Sequence, residues 1–436
     1  MGKSYWLGGA LAGLLATAGC GNTYRPVVSA INPIGPAGQP QKYAVVISDP
    51  RTATDPTASG LVTLVDFSGD TVLVTPNVGI NPYYLIVNQG GNTGYTLNGD
   101  GTVNSFDISP SLRTINVEQT TLLTDNCPAS ATNCDAYRPN SIFPTNGSTY
   151  ITQPGRSAVA ELQGAPPKLQ QELPVAANPV FIAGIGGGPR AYAISQGGSP
   201  SGNGQVAAIE TAGNTISTTL PVGRTPVYGV MTADGKRAFV MNQGDNTISV
   251  INSQTNQLDT PTSTIKVGAS PVWADFAPTL SELIVANAGG GTSPGSLSII
   301  SIPLCSAVAL STNPNCDPTN PVDAVGFGTV LATVPVGVNP LVVSVLQDGT
   351  RAYVVNQGDS TVSVVNLTTN KVSAVIPVPA SPHPTFLAAT TGAPTGKVYV
   401  TSPESNYMTV IRTDTDTIEA LVPLQGKGIQ VRVTAP

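Results

Sequence analysis

The chain has 436 residues, of which 40% are hydrophobic and 10% are charged, and its formal net charge is −6. The apolar fraction is enough for a packed core and excludes wholesale disorder, while the acidic balance without a basic run argues against nucleic acid as a partner. Gly (46) and Pro (39) are abundant, which favours many short strands joined by turns.

Residues 1–19 have the features of an export signal. Lys3 precedes a short apolar stretch at residues 7–16, which is too short to span a membrane as a stable helix. Small residues then lead to Cys20. This arrangement resembles the lipobox of bacterial lipoproteins, which implies cleavage before Cys20 and acylation of its thiol. Thr17 stands where Leu is commoner, so an ordinary secretory signal is the alternative. Residues 20–41, rich in Pro, are expected to form a flexible tether.

From residue 42 onward the chain repeats one unit of about 42–47 residues, with longer gaps such as the 69 residues from Pro271 to Pro340, which enclose Cys305 and Cys316. Six of the units open with Val-Gly-x-x-Pro or a close variant, followed by an apolar run, a Gly-containing turn and a strand that ends in a polar residue. The openings stand at residues 78–82, 175–179, 222–226, 267–271, 336–340 and 378–382. Residues 247–252 alternate between polar and apolar, as a strand does. Four short strands with their turns need about this length, which is typical of a propeller blade.

The number of blades follows from the polar residues that close the second strand of each unit. There are eight of them: Ser48, Asn98, Gln153, Ser195, Asn242, Asn287, Asn356 and Ser402. The first unit lacks a preceding strand, and residues 428–433 form a strand without followers, so the two ends should share one blade. We therefore predict an all-β fold, a single β-propeller at residues 42–436 with four-stranded blades. Eight blades are counted, seven is the alternative, and a miscount would lie at residues 120–175.

These repeats resemble the YVTN β-propeller repeat over nearly all of residues 42–434, most closely at residues 399–402, Tyr-Val-Thr-Ser. The resemblance implies the propeller fold, which in this family more often has seven blades. It does not imply one activity, because a propeller fold hosts many functions. Lactonase-like and surface-coat proteins are among the similar propellers.

Four further cysteines form two local pairs, Cys127 with Cys134 and Cys305 with Cys316. Each pair lies in an irregular stretch rich in Asn and Pro, and in an oxidising compartment local pairs of this kind become disulfides. Neither pair is a C-x-x-C, and no His stands nearby, so we expect no zinc site.

A candidate binding rim lies where the Val-Gly-x-x-Pro loops should surround the mouth of the central channel. Its members are Arg224, His383, Asn81, Asn178 and Asn339. The asparagines equally suit turn formation, and His383, the only histidine of the chain, equally suits a solvated loop. Aromatic residues stand two positions after several of the prolines, where they could pack between blades or bind a ligand; they are Tyr84, Phe181, Tyr228 and Trp273.

The sequence argues against several chemistries. A single histidine restricts both a serine-hydrolase site and haem ligation. No cofactor is expected, although a structural calcium ion at residues 98–102 or 244–246 stays open as an alternative to ordinary turns. Glu210 and Asp275 are acids near the predicted mouth, which leaves a lactonase-like or metal-assisted hydrolase as the alternative function.

Taken together, these residues favour a non-catalytic binding or interaction scaffold that acts through its loop face. The expected protein is a monomeric ring anchored to the cell envelope by a lipid, with an envelope protein or glycan as its partner and no nucleic acid. Gly21, after the lipid-bearing cysteine, is not the Asp linked to inner-membrane retention in some bacteria. That difference favours the outer membrane, with the ring facing the periplasm or the cell surface.

Overall fold

The computed structural model describes residues 42–108, 117–122, 137–164, 166–199, 201–303, 325–391 and 395–434. The predicted signal and tether at residues 1–41, with Cys20, lie outside this part of the chain. So do the two predicted disulfide pairs, Cys127 with Cys134 and Cys305 with Cys316. All of these stay predictions.

Most secondary structure in the described residues is β-strand. In chain order, the elements of the first half of the chain are β1 Tyr43–Asp49, β2 Ser59–Asp66, β3 Val72–Val74, β4 Asn77–Ile80, β5 Pro82–Val87, β6 Thr93–Asn98, β7 Thr102–Asp107, β8 Val117–Thr121, β9 Ile142–Pro144, β10 Thr149–Gln153, a single 3₁₀ turn Pro154–Arg156, β11 Ala158–Gln163, β12 Lys168–Pro174, β13 Pro179–Gly184, β14 Arg190–Ser195, β15 Asn203–Glu210 and β16 Thr215–Arg224.

The second half continues in the same way, with strands of similar length. They are β17 Pro226–Met231, β18 Arg237–Asn242, β19 Thr247–Asn252, β20 Gln257–Leu258, β21 Thr264–Lys266, β22 Pro271–Ala277, β23 Glu282–Asn287, β24 Pro294–Ser301, β25 Thr329–Val338, β26 Pro340–Val345, β27 Arg351–Asn356, β28 Thr361–Asn366, β29 Lys371–Pro377, β30 Phe386–Thr390, β31 Lys397–Thr401, β32 Tyr407–Arg412, β33 Thr417–Pro423 and β34 Lys427–Val433.

These strands form eight antiparallel sheets arranged as an eight-bladed β-propeller. Blades 2 to 8 begin at β5, β9, β13, β17, β22, β26 and β30, and each runs outward in chain order from an inner strand. Blade 1 is closed by both ends of the chain, because β34 is its inner strand and pairs with β1 from Ala44↔Val433 to Asp49↔Lys427. The predicted eight blades and their closure are confirmed.

The up-and-down order of the strands gives the ring two distinct faces. The Val-Gly-x-x-Pro loops and the turns between second and third strands lie on one face, which we call the motif face. The turns between first and second strands and between third and fourth strands lie on the other, which we call the turn face. The motif prolines Pro82, Pro179, Pro226, Pro271 and Pro340 each open an inner strand at the motif face, as proline is tolerated at the first residue of a strand.

The core consists of apolar layers between neighbouring blades. The second and third strands are covered on both faces, so β18 is buried along its whole length. Ala238 and Val240 belong to the layer against blade 4, whereas Phe239 and Met241 belong to the layer against blade 6. Side chains of a strand point alternately to its two faces, so one strand contributes to two layers. This explains the continuous apolar runs in the sequence.

The glycine of the Val-Gly-x-x-Pro loop packs closely against the polar residue that closes the second strand of the blade that follows the loop. A Cβ atom added at Gly223 would lie 2.6 Å from Cγ of Asn242, and Gly268 and Gly337 stand in the same way against Asn287 and Asn356. The amide Nδ2 of Asn242 donates to Thr247 Oγ1 at 3.1 Å and Ser249 Oγ at 3.0 Å. The glycine therefore makes room for an asparagine that holds the adjacent turn.

We expect Gly223→Ala to lower the free energy of unfolding by about 1–3 kcal/mol, because the added methyl group overlaps Asn242. Blade 4 carries Ala176 at the glycine position and Ser195 at the closing position. The double variant Gly223→Ala with Asn242→Ser should therefore regain part of that loss, as measured by urea denaturation. A Gly223→Ala protein with wild-type stability would rule out the steric contact.

Candidate functional site

The three asparagines of the predicted rim all have left-handed backbone conformations. Their φ angles are 58° at Asn81, 53° at Asn178 and 52° at Asn339, a region that Asn enters more readily than most residues. Asn178 Nδ2 donates to Gln196 Oε1 at 2.8 Å, and Asn339 Nδ2 donates to Gln357 Oε1 at 2.7 Å. These two contacts join the motif loops of Asn178 and Asn339 to the turns that follow, so these two residues have a structural role.

Arg224 is half exposed and fixed by the turn between β18 and β19. Its backbone N–H donates to Asp245 Oδ2 at 2.6 Å, its Nε to Asp245 Oδ1 at 2.5 Å and its Nη2 to the Gly244 carbonyl at 2.9 Å. The backbone and guanidinium hydrogen bonds from Arg224 lower the pKa of Asp245. The guanidinium is therefore held in one position at the motif face.

His383 lies on the motif face, in the loop that leads into blade 8. Its φ is 44°, and it precedes Pro384 as the asparagines precede their prolines. Ser381 is buried and bonds Thr409 Oγ1 at 2.9 Å. His383 Nδ1 lies 3.1 Å from Glu404 Oε2. Arg224 leads into blade 5 and His383 into blade 8, so the structure does not bring these two rim residues together.

The central channel contains a cavity of about 230 Å³ that is lined by residues of five inner strands, β17, β22, β26, β30 and β34. Charged groups stand in its wall from two of these strands, Asp275 from β22 and Arg432 from β34. Asp275 lies opposite Ile284, and Arg432 lies opposite Val45. Ile284 and Val45 each stand three positions before the polar residue that closes the second strand of their blade. Asp275 and Arg432 therefore occupy the same layer of the channel, in blades 6 and 1.

Aromatic side chains contact one another from blade to blade next to this layer. The rings of Phe181 and Tyr228 lie 4.5 Å apart, Tyr228 and Trp273 stack at 4.1 Å, and Trp273 meets Phe386 edge-on at 5.4 Å. The guanidinium carbon of Arg432 is 4.6 Å from the ring centre of Phe386 and 5.7 Å from that of Trp273, which is cation–π geometry. Phe181, Tyr228 and Trp273 thus pack between blades, and Tyr228 and Trp273 also line the channel cavity.

Side chains of inner strands also accept hydrogen bonds from the backbone of the next inner strand. Four junctions share this arrangement: Ser141 with Ile182 N at 3.3 Å, Asp275 with Val345 N at 2.8 Å, Ser344 with Ala389 N at 3.3 Å, and Gln430 with Leu85 N at 2.7 Å. Neighbouring inner strands belong to different sheets, so these bonds satisfy N–H groups that a sheet ladder does not.

Asp275 is the ionisable member of this set. Burial raises its pKa to about 6, although hydrogen bonds from the N–H groups of Val345 and Phe276 and the charge of Arg432 act in the opposite direction. The carboxylate is surrounded by protein but still touches the channel space. Desolvation disfavours its charged form.

We expect Asp275→Asn to stabilise the protein at neutral pH. The pKa of Asp275 is about 6 in the folded state, higher than the 3.8 of an ordinary carboxyl. The stability that the protonated Asp275 carboxyl contributes is therefore fully present below pH 3.8 and is lost as the pH rises through 6. The gain of the variant should be close to zero below pH 4 and about 3 kcal/mol above pH 7. Urea denaturation across this pH range measures it, and a pH-independent difference would contradict it.

Several relevant residues were not found from the sequence. Arg432 stands in the final strand, and its position opposite Trp273 and Phe386 depends on the closure of the ring. Glu210, singled out with Asp275, instead pairs with Arg190 at 2.7 Å. An alternation of polar residues within β34, Gln430 and Arg432, was the available signal for a channel-facing strand.

The turns considered for calcium hold their acids by hydrogen bonds within the protein. Asp100 Oδ1 accepts from Thr102 N at 3.1 Å, and Asp100 Oδ2 accepts from Ile80 N at 2.8 Å. Within the described ranges, no group of three or more His, Cys, Asp or Glu side chains is placed to hold a metal ion. No helix in that part of the chain is long and apolar enough to cross a membrane.

Comparison with solved structures supports the fold. Apo AztD from Citrobacter koseri has a TM-score of 0.58 at 12% identity, covering 90% of this chain and 97% of that chain. The dihydro-heme d1 dehydrogenase NirN gives 0.60 at 11% identity, covering 92% and 76%. The hydrazine synthase of Kuenenia stuttgartiensis gives 0.53 at 14% identity, covering 77% and 96%. No protein-family model matches the chain, and no curated protein matches its sequence.

Proposed function

We propose that this chain is a non-catalytic binding protein of the bacterial cell envelope, which recognises an envelope protein or glycan through the motif face of a monomeric ring. The observation that carries the proposal is the fixed presentation of charge on that face. Arg224 is clamped by Asp245 at 2.5 Å, and His383 stands beside Glu404 at 3.1 Å. Loops on a rigid scaffold are common places for recognition, and preorganised side chains lose less entropy on binding.

The proposed address rests on residues 1–41. We propose that the chain is a lipoprotein anchored through Cys20, with residues 20–41 as a tether, and that Gly21 directs it to the outer membrane, facing the periplasm or the surface. Two predicted disulfides, Cys127 with Cys134 and Cys305 with Cys316, suit the same oxidising environment. We also assign the propeller to the YVTN type, on the repeat and on residues 399–402, which begin within β31 and end just after it.

A hydrolase is the second candidate, and the contact between His383 and Glu404 is the observation that favours it. A carboxylate beside a histidine ring is the arrangement that orients a general base. Both side chains are more than half exposed, at 56% and 55%, whereas catalytic pairs usually work in desolvated sites. Turnover of lactones or esters that disappears in His383→Ala would establish the hydrolase and displace the binding proposal.

Affinity capture from solubilised envelopes tests the binding proposal. The full-length protein in detergent should retain a recurrent partner that is reduced about tenfold in the double variant Arg224→Ala and His383→Ala. Arg412→Ala is the matched control, because Arg412 forms a similar exposed pair with Asp414 at 2.6 Å on the turn face. Equal capture by wild type and rim variant would contradict the proposed face.

A further inference from the structure

The turn face contains a cleft that differs in character from the motif face. Its volume is about 510 Å³, within the range of small-molecule sites. The walls come from the first-to-second-strand turns of blades 5, 6 and 7 and from the inner strands β22 and β26. Phe276, Pro278, Ile302 and Val345 give it a mainly apolar lining. Asp275 lines both this cleft and the channel cavity.

Glu282 in this cleft breaks a pattern that the neighbouring blades keep. Five residues before the closing polar residue, blades 4, 5, 7 and 8 carry a cation paired with a carboxylate; the pairs are Arg190 with Glu210 at 2.7 Å, Arg237 with Asp259 at 2.8 Å, Arg351 with Asp416 at 3.0 Å and Lys397 with Asp70 at 2.6 Å. Blade 6 has Glu282 at this position. The repeat therefore reverses its charge at the cleft.

The Glu282 carboxylate has an unfilled hydrogen-bonding capacity. Its Oε2 atom is shielded from solvent and lacks a hydrogen-bond partner, and burial raises the pKa of Glu282. An unpaired buried carboxylate oxygen is costly, and the cations of blades 4, 5, 7 and 8 show that the position does not require an acid. A partner from outside the chain would remove this cost.

Asp275 is the charged member of the four inner-strand junctions, and Ser344 is its neutral counterpart at the same level of blade 7. The junctions at Ser141, Ser344 and Gln430 make the same bond to the next inner strand with neutral side chains. Joining the blades therefore does not need a charge, yet blade 6 places a carboxylate there. Both exceptions to the repeat lie in blade 6, and both line one cavity.

The remaining charged groups define what the cleft can accept. Asp234 and Lys236, 3.9 Å apart, stand at its wall, so among the lining residues three carboxylates face one ammonium group. Arg432 lies on the channel side of Asp275, where Leu85 and the aromatic rings engage it. The acids of the cleft do not form a metal-binding group of three, and its walls are apolar. An organic cation therefore fits better than a metal ion.

We propose that the turn-face cleft binds a small organic cation, an amine carried on an apolar body, with Glu282 and Asp275 as the partners of its ammonium group. This site goes beyond the proposed recognition through the motif face and lies on the opposite side of the ring. A variant of this chain can therefore lose amine binding and keep partner recognition, or the reverse.

Calorimetric titration of the detergent-solubilised full-length protein tests the site with two probes of the same shape. 2-Phenylethylamine carries a charge and 2-phenylethanol does not. We expect the amine to bind saturably with Kd near or below about 1 mM and the alcohol to bind at least about tenfold more weakly, as the loss of a charge-assisted hydrogen bond predicts. Equal binding of the two probes, or no saturable binding of the amine, would overturn the proposal.

Variants locate the binding. Glu282→Gln should weaken the amine about tenfold, and Asp275→Ser, which supplies the acceptor that Ser344 provides in the next blade, should weaken it without unfolding the ring. Asp414→Asn removes an exposed turn-face acid of blade 8 and should leave the affinity unchanged, as should Arg224→Ala on the motif face. Unaltered affinity in a folded Glu282→Gln protein would refute the site whatever the outcome of partner capture.

Discussion

Replacing Arg237 with methionine is expected to lower the free energy of unfolding by about 3–5 kcal/mol. The side chains of Arg237 and Asp259 are 1% and 2% exposed, and Nε donates to Oδ2 at 2.8 Å. Arg237 Nη1 also donates to the carbonyl of Lys236 at 3.0 Å, and Asp259 Oδ1 accepts from Asn252. Loss of the guanidinium leaves a buried carboxylate without its counter-charge, which is the expensive outcome.

The control for this prediction is a solvent-exposed ion pair of the same protein. Arg412 and Asp414 are 38% and 43% exposed, so Arg412→Met should lower the free energy of unfolding far less than Arg237→Met does. The double variant Arg237→Met with Asp259→Leu should regain much of the loss, since it removes both charges together. Chemical denaturation with a double-mutant cycle provides these values. A cost for Arg237→Met no larger than for Arg412→Met would show that burial does not govern the pair.

The second large effect concerns the lipid anchor. Cells grown with labelled palmitate should incorporate the label into the wild-type protein, and Cys20→Ser should abolish it completely because the acylated thiol is lost. Stable anchoring by acyl chains depends on the buried hydrocarbon, so no partial anchor would remain. Cys127→Ser is the matched control and should keep full labelling. A wild-type protein without label would contradict the lipoprotein proposal and favour an ordinary secretory signal.

The fold was predictable because its signals are local and repeated. Each Val-Gly-x-x-Pro loop, each closing residue such as Asn242 or Asn356, and the unpaired strands at the two ends carry their meaning within a few residues. Counting blades by their closing polar residues also found blade 3. Its first strand β9 follows no Val-Gly-x-x-Pro motif, but Gln153 marks the end of its second strand β10.

The candidate sites were less predictable, because they depend on contacts between distant residues. Lys397 pairs with Asp70 across 327 positions of the sequence, and Arg432 contacts the Leu85 carbonyl across 347. The place of His383 in its loop depends on backbone conformation, which the preceding Pro382 obscured. Glu282 could have been noticed by aligning the blades at their closing residues, but its meaning needed the neighbouring ion pairs and the cleft.

Photo-cross-linking in intact cells tests the central claim, recognition through the motif face, most directly. A photoreactive amino acid would be placed at Ser199 or Asn406 on the motif face, and at Ala212 or Thr415 on the turn face of the same blades, all exposed positions. Recognition through the motif face predicts a recurrent adduct from the motif-face positions that the turn-face positions do not give. Adducts from the turn face alone, or none from either motif-face position, would contradict it.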